Sequence, residues 1–245
     1  MQILLISDIH ANFPALKAVE HFFRHRSFDF IINSGDSVVY APFPNETLAW
    51  LKAKSTLSIL GNTDKKVIKL LKGQTFTKPS KHEKRIMYSW TAEHLNEECS
   101  KYLLSLKNKT RLTIPKIESQ SSYWKIGIFH GSPARNHEFL FDTTPDSRFL
   151  HLAEKTEFEI VICGHSHVPF HKHLGNTHFI NPGSTGRMFD GDPRASCAIL
   201  ELISNTLSVE FFRISYNIEE TATTLKFFSL PKIYAEMFRS GRKTN

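Results

Sequence analysis

The hydrophobic residues of this chain include five short runs, and a polar side chain able to bind a metal follows each of them. The runs occupy residues 3–6, 30–32, 57–60, 126–129 and 158–163. Runs of this length, rich in Ile, Val, Leu and Phe and bounded by turn residues, are typical of buried β-strands. The pattern therefore predicts five strands whose carboxyl ends deliver Asp, Asn or His to one rim.

Other segments show helical periodicity or the alternation of apolar and polar residues that is typical of hairpin strands. We predict helices at residues 12–25, 43–54, 64–72, 83–108, 147–155 and about 216–240. Further strands are predicted at residues 110–117, 123–129, 170–174, 178–180, 196–203 and 207–214. The last four should form two hairpins, because Gly175-Asn176 and Ser204-Asn205 are turn sequences. Residues 240–245 are expected to fray.

These elements predict an α/β fold in which two mixed β-sheets pack face to face with helices outside. With 245 residues and 40% hydrophobic content, the chain can form one domain, predicted to span residues 1–245. The covering helices at about 216–240 belong to that domain.

The cysteines and the apolar segments bear on the cellular compartment in which the protein is expected. Three cysteines have neither an even count nor metal-finger spacing, so we expect them to be reduced and the protein to be cytoplasmic. The first apolar run is interrupted by Asp8 and His10, which argues against a signal peptide. No stretch approaches the roughly 20 apolar residues of a membrane span, so no membrane association is expected.

The polar residues after the five strands predict a metal site. Each has a simpler interpretation by itself, since Asp often caps helices and Gly-Asp is common in turns. Their joint occurrence in order favours metal binding, and their number favours a metal pair. The residues are Asp8, His10, Asp36, Asn62, His130, His165 and His167.

These motifs resemble those of the calcineurin-like metallophosphoesterases, in particular the small bacterial phosphodiesterase-type branch. That family is defined by Asp-x-His, Gly-Asp, Gly-Asn-His-Asp/Glu, a lone His and Gly-His-x-His in this order. The resemblance implies a four-layer sandwich of two sheets flanked by helices. It also implies that Asp8, His10 and His167 hold one metal and Asn62, His130 and His165 the other, while Asp36 bridges them. Asp36, Asn62 and His130 would then be the catalytic set.

The ligand types bear on which metal is bound. Mixed carboxylate and imidazole ligands suit divalent transition metals, whereas calcium and magnesium sites are built from oxygen ligands. We therefore expect two transition-metal ions, with manganese first and iron, zinc, nickel or cobalt as alternatives. Such a pair lowers the pKa of a shared water toward about 7, so the expected reaction is phosphoester hydrolysis through a metal-bridging hydroxide.

The chain departs from the family pattern at Thr63, where many members have histidine as a donor to the leaving group. Threonine is not an acid near neutral pH, although its hydroxyl can donate a hydrogen bond. We therefore expect phosphodiesters or nucleotide phosphoanhydrides as substrates in preference to unactivated monoesters. The candidate substrate contacts are Thr63, Ser132, Arg135 and Arg187.

The charge distribution leaves the partner partly open. The formal net charge is +7, and a lysine-rich stretch covers residues 65–85. We interpret this stretch first as a solvated helix face and loop, and secondly as an attraction for nucleotides or nucleic acid. The expected substrate is a small anionic phosphate ester or nucleotide. A nuclease acting on DNA or RNA and a non-catalytic scaffold are the alternatives, and the sequence leaves the oligomeric state open.

Overall fold

The computed structural model describes residues 1–116 and 122–244, which form ten strands and eight helices. The strands are β1 (Gln2–Ile6), β2 (Phe30–Asn33), β3 (Leu57–Ser58), β4 (Thr110–Pro115), β5 (Tyr123–Ile128), β6 (Ile160–Ile162), β7 (Phe170–Leu174), β8 (Thr177–Asn181), β9 (Ala195–Ile203) and β10 (Thr206–Ile214). The helices are α1 (Phe13–Phe22), α2 (Pro44–Ala53), α3 (Asn62–Leu71), α4 (His82–His94), α5 (Glu97–Ser105), α6 (Asp146–Glu154), α7 (Ile218–Phe227) and α8 (Ile233–Ser240).

The strands form two five-stranded mixed sheets, as predicted. The first has the order β10-β9-β1-β2-β3, with β1, β2 and β3 parallel and β9 antiparallel to β1. The second has the order β4-β5-β6-β8-β7, with β5, β6 and β8 parallel. Within each sheet the parallel strands end level with one another, since Ile6 lies opposite Asn33 and Ile128 lies opposite Ile162. The residues that follow these strands are thereby brought to one edge.

Alternation of side chains along the strands divides the core into layers. On β1, Ile3 and Leu5 join the cluster between the two sheets, whereas Leu4 and Ile6 join the cluster beneath the helices. A third cluster lies between the second sheet and α6, which contributes Phe149. Successive strand residues face opposite sides of a sheet, so each apolar run serves two layers. The resulting order of helices, sheet, sheet and helix is the predicted four-layer sandwich.

Several boundaries differ from the prediction; for example, α1 ends at Phe22 and β3 at Ser58, before the predicted residues 25 and 60. The single helix expected over 83–108 is wrong, because α4 ends before Leu95 and α5 begins anew. The side chain of Asn96 accepts a hydrogen bond from the backbone nitrogen of Cys99 at 2.8 Å, which caps α5. Helix α3 begins two residues earlier than predicted, at Asn62, so this residue lies in a first helical turn. The end of the strand predicted over 110–117 lies outside the described residues.

The carboxyl-terminal segment is ordered by contacts that the sequence did not reveal. Helices α7 and α8 cover the sandwich as predicted. The prediction that the chain frays from residue 240 is wrong for Ser240 and Gly241, because Gly241 ends α8 in a left-handed conformation with φ 61° and its carbonyl accepts from the nitrogen of Gly191 at 2.9 Å. The chain beyond Gly241 thus returns toward the ligand-bearing edge.

Two further observations concern the whole of the described chain. Cys99, Cys163 and Cys197 are all buried free thiols, as expected. Among residues 1–116 and 122–244, no helix is long and apolar enough to cross a membrane.

Candidate metal centre

The loops after β1, β2, β5 and β6 and the start of α3 bring the seven predicted ligands together at one edge of the sandwich. In the first group, Nε2 of His167 lies 3.3 Å from Oδ1 of Asp8 and 3.3 Å from Nε2 of His10. All three side chains are buried. Their ligand atoms lie within 4.8 Å of one another, which is close enough for a single ion.

A second group surrounds His130. Its Nε2 lies 3.1 Å from Nδ1 of His165 and 3.1 Å from Oδ1 of Asn62. Oδ1 of Asp36 is 3.5 Å from the same nitrogen, whereas Oδ2 of Asp36 is 3.8 Å from Nε2 of His10 in the first group. The two oxygens of Asp36 therefore face different groups, which is the arrangement that a bridging carboxylate needs.

The hydrogen bonds behind the histidines test whether this donor set fits a metal. Nδ1 of His130 lies 2.9 Å from the carbonyl of Ser34, and Nδ1 of His167 contacts the carbonyl of Arg187. A carbonyl only accepts, so Nδ1 donates in both rings and Nε2 of each neutral ring presents a lone pair. Oδ1 of Asp8 also has no hydrogen-bond donor in the described structure. Lone pairs that converge in this way are satisfied by a cation, so the residues fit divalent metals.

The pKa values of the metal-free histidines differ with their surroundings. Burial lowers the pKa of His10 to about 3 and that of His165 to about 4. Both rings are therefore neutral near pH 7, as ligation requires. Burial also acts to lower the pKa of His130, but the charge and hydrogen bond of Asp36 outweigh it and raise this pKa to about 9. Metal binding must therefore displace a proton from His130.

The backbone at these positions is strained. Asp8, His10, Asp36, His165 and His167 have φ values of 48°, 52°, 53°, 68° and 61°. This left-handed region favours glycine and costs other residues on the order of 1–3 kcal/mol each. Strain concentrated on residues of one cluster indicates that the loops are held to present these side chains.

One such constraint is the contact between the loops after β1 and β6. Oδ2 of Asp8 accepts from the hydroxyl of Ser7 at 2.6 Å and from the backbone nitrogen of His165 at 2.9 Å. A Cβ on Gly164 would lie 2.1 Å from the Ser7 hydroxyl oxygen and 2.7 Å from Oδ2 of Asp8. Only glycine fits there, and it lets the first ligand group brace the loop that carries His165 and His167.

The start of α3 braces Asp36 in the same way. The backbone nitrogen of Thr63 donates to Oδ1 of Asp36 at 2.8 Å, and the Thr63 hydroxyl donates to the carbonyl of Val38 at 3.1 Å. The carboxylate of Asp64 accepts from the nitrogens of Gly61 and Val38 at 2.8 and 3.1 Å. The Thr63 hydroxyl thus donates to the protein backbone, while Thr63 itself lines the cavity over the ligand groups, so its contact with a substrate stays a prediction.

A cavity of about 520 Å³ opens over the ligand groups. It is lined by His10, Asp36, Tyr40, Asn62, Thr63, Lys66, Lys78, Pro79, Lys84, Tyr88, Phe139, His165, His167, Arg187, Phe189 and Lys243. Arg187, a predicted substrate contact, is among these described lining residues, but Ser132 and Arg135 are not. The Ser132 hydroxyl contacts the carboxylate of Glu138, and Arg135 is exposed, so these two residues shape the loop after His130.

Sequence reasoning missed several of the lining residues. Phe139 stacks on His165 with ring centroids 4.1 Å apart, and Phe189 stacks on His167 at 3.9 Å. Neither aromatic residue stands in a recognisable motif. The basic stretch was the one available signal for Lys66, Lys78 and Lys84, which line the cavity, so a solvated face does not describe the whole stretch.

Comparisons with known proteins agree with this geometry. Residues 1–205 match the calcineurin-like phosphoesterase superfamily domain. The chain is 30% identical to the uncharacterized protein MJ0912 of Methanocaldococcus jannaschii, over 98% of each chain. A metallophosphoesterase from Sphaerobacter thermophilus superposes with a TM-score of 0.77 and 29% identity, covering 98% of this chain and 100% of that one. The hypothetical protein PH1004 from Pyrococcus horikoshii shares the fold, with a TM-score of 0.84, 20% identity and 99% coverage of both chains.

Proposed function

The chain belongs to the calcineurin-like phosphoesterase superfamily, and on that premise we propose that it is a dinuclear metal-dependent hydrolase of phosphodiesters or nucleotide phosphoanhydrides. The family is metal-dependent and suggests phosphoester hydrolysis in general. The proposal of two metal ions rests on the position of Asp36, whose two oxygens face two separate ligand groups at the base of one cavity.

The proposed ligand sets follow the two groups. Asp8, His10 and His167 would hold one ion, whereas Asn62, His130 and His165 would hold the other, with Asp36 shared. When bound there, a pair of divalent ions, manganese first and iron, zinc, nickel or cobalt as alternatives, would supply a hydroxide nucleophile near neutral pH and offset charge on the phosphoryl oxygens.

The remaining residues of the cavity position the substrate. Asn62 would orient the phosphoryl group from the first turn of α3. One turn further on, Lys66 also lines the cavity, and its Nζ donates to the carbonyl of Asn62 at 3.1 Å. This ammonium supplies a positive charge close to the attacked phosphate, whereas Thr63 offers no acid. Leaving groups that depart without a proton, such as a phosphate with a pKa of about 6, are therefore preferred.

A substrate panel tests the proposal. Purified protein, stripped of metal and reloaded with manganese, nickel, cobalt, zinc or magnesium, would be assayed with bis(p-nitrophenyl) phosphate, a dinucleoside polyphosphate, a simple alkyl monoester and short oligonucleotides. We expect turnover of the first two substrates with transition metals. Faster cleavage of the alkyl monoester would contradict the substrate preference.

Two histidine variants give this panel an internal control. His165→Ala removes a ligand and should abolish turnover with every metal. His151→Ala makes the same change on an exposed face of α6 and should retain wild-type turnover. Near-normal turnover by His165→Ala would contradict the ligand assignment.

The nuclease alternative is favoured by one observation. Phe139 is 49% exposed beside the cationic cavity, where its ring can stack on a nucleobase. Preferential cleavage of the oligonucleotides in the same panel would establish this alternative. Binding of metal without turnover of any substrate would instead favour the scaffold. The three unpaired buried cysteines support the proposal that the protein acts in the cytoplasm.

A further inference from the structure

Three cations from separate parts of the chain line the cavity beside the first ligand group. Lys84 lies on α4, Arg187 lies in the loop after β8, and Lys243 lies in the segment after α8. Lys84 is half-buried and Lys243 is exposed. Asp36 is the one carboxylate among the described residues that line this cavity. The cavity therefore presents positive charge beyond what its own lining neutralises.

Arg187 is the most constrained of the three. It is 5% exposed, and its guanidinium carbon lies 3.8 Å from the ring centroid of Tyr40 and 5.0 Å from that of Phe189. Nη2 contacts the thioether of Met237 at 3.6 Å, and among the described residues buried Nε has no hydrogen-bond partner. A guanidinium is rarely buried without an anion to pair with it. The free Nε donor of a residue that lines the cavity therefore indicates a place for a bound anion.

Lys243 and Lys84 extend this charge. Nζ of Lys243 lies 5.5 Å from the centroid of Phe189, the ring that Arg187 also contacts. Burial, together with the charges of Lys243, Arg187 and Lys81, lowers the pKa of Lys84 to about 8, as expected for cations that line one cavity. In residues 1–116 and 122–244, no ion pair to a carboxylate involves Lys84, Arg187 or Lys243.

We propose that Lys84, Arg187 and Lys243 form a second anion subsite, which binds a further phosphate group of a substrate whose reacting phosphate lies at the metal ligands. Phe189 connects the two places, because it stacks on the ligand His167 and also contacts Arg187 and Lys243. The substrate class is therefore a molecule with two or more linked phosphate groups. The placement of the reacting phosphate at the metal ligands rests on the proposed hydrolase function, whereas anion binding by the three cations does not.

Binding of inorganic tripolyphosphate to metal-free protein tests the subsite without any catalysis. Calorimetry in EDTA would compare the wild-type chain with Lys84→Gln, Lys243→Gln and the double variant. Both lysines lie at the cavity rim, so these variants avoid burying a new group as replacement of Arg187 would. Lys69→Gln is the matched control, because it removes one charge from the exposed face of α3 outside the lining set.

We expect each rim lysine variant to weaken tripolyphosphate binding by about tenfold and the double variant by about a hundredfold, as for loss of charge-assisted contacts. Lys69→Gln should change the affinity by less than about twofold, as for a screened surface charge. Absence of binding by the wild-type chain would overturn the proposal. An effect of Lys69→Gln as large as that of the rim variants would also overturn it, since bulk charge would then explain the binding.

A hydrolysis assay connects the subsite to turnover. In the double variant, kcat/KM for a nucleoside triphosphate should fall about tenfold or more relative to kcat/KM for bis(p-nitrophenyl) phosphate, which has a single phosphate group. An unchanged ratio would overturn the role in substrate choice. If no substrate is cleaved with any metal, the proposed hydrolase function fails, whereas the tripolyphosphate titration still decides whether the subsite exists.

Discussion

Replacement of Asp36 by Asn isolates the charge that the two ligand groups share. Asn has the same shape as Asp, and its side-chain oxygen can still accept from the backbone nitrogen of Thr63, which lies 2.8 Å from Oδ1 in the wild-type protein. Because Asp36 is 2% exposed, solvent cannot compensate for the negative charge that the substitution removes. The variant should therefore fold, and its defect should appear when metal is added.

The size of the defect follows from binding linkage. A ligand at 100 times its Kd stabilises a folded protein by about 2.7 kcal/mol per site. Two sites together give about 5 kcal/mol, and a domain of this size shifts its Tm by about 2–4 °C per kcal/mol, so wild-type protein should gain about 10–20 °C. Two unit charges 4 Å apart interact by about 4 kcal/mol near a protein surface. Loss of the shared carboxylate, which faces both groups at 3.5 and 3.8 Å, should thus lower each affinity by about a hundredfold or more.

The assay is thermal unfolding of metal-free protein with and without manganese at a fixed concentration, 100 times the wild-type Kd. At that concentration Asp36→Asn should gain only about 2–3 °C. Asp142→Asn, at an exposed loop position, is the control and should keep the wild-type gain. A gain of 10 °C or more by Asp36→Asn, about the lower wild-type expectation, would refute the inference that Asp36 serves both groups.

Three further predictions concern the support of the site. Gly164→Ala places a Cβ 2.1 Å from the Ser7 hydroxyl oxygen, so it should destabilise the protein by about 1–3 kcal/mol, visible as a lower Tm, and an unchanged Tm would contradict the tight loop contact. Thr63→Val should change kcat/KM for bis(p-nitrophenyl) phosphate by less than about threefold, whereas Lys66→Met should lower it by about tenfold or more. A larger loss of kcat/KM in Thr63→Val than in Lys66→Met would show that the Thr63 hydroxyl contacts the substrate. Metal-free protein should lose stability as pH falls from about 6.5 toward 4. In the folded protein His10 and His165 have pKa values of about 3 and 4, below the value of about 6.5 in the unfolded chain. The unfolded chain therefore binds more protons than the folded protein in this pH range, so acid favours unfolding. Each group contributes a slope of up to about 1.4 kcal/mol per pH unit, and urea unfolding that is flat across this window would exclude the pKa assignment.

The sequence predicted the ligand-bearing strands because their chemistry is local. A short apolar run followed within a few residues by Asp, Asn or His can be read from neighbouring residues, and the five such runs contribute β1, β2, β3, β5 and β6 of the two sheets. The same local information gave the hairpins after residue 170 and the α1 cap at Asn12. It failed within residues 83–108, where the periodicity continues but Asn96 starts a new helix. Capping competes there with an uninterrupted apolar pattern, and the pattern alone could not decide between them.

The sequence by itself determined which side chains are able to ligate metal, because their types and their positions after strands are local properties. Only the tertiary structure decided what surrounds them. Phe139, Phe189 and Lys243 line the cavity although they stand outside the ligand motifs, whereas Ser132 and Arg135, in the loop that follows the ligand His130, are not among its lining residues. The physical reason is that a strand fixes the direction of the residue at its end, whereas the position of a loop or terminal side chain depends on packing between distant layers.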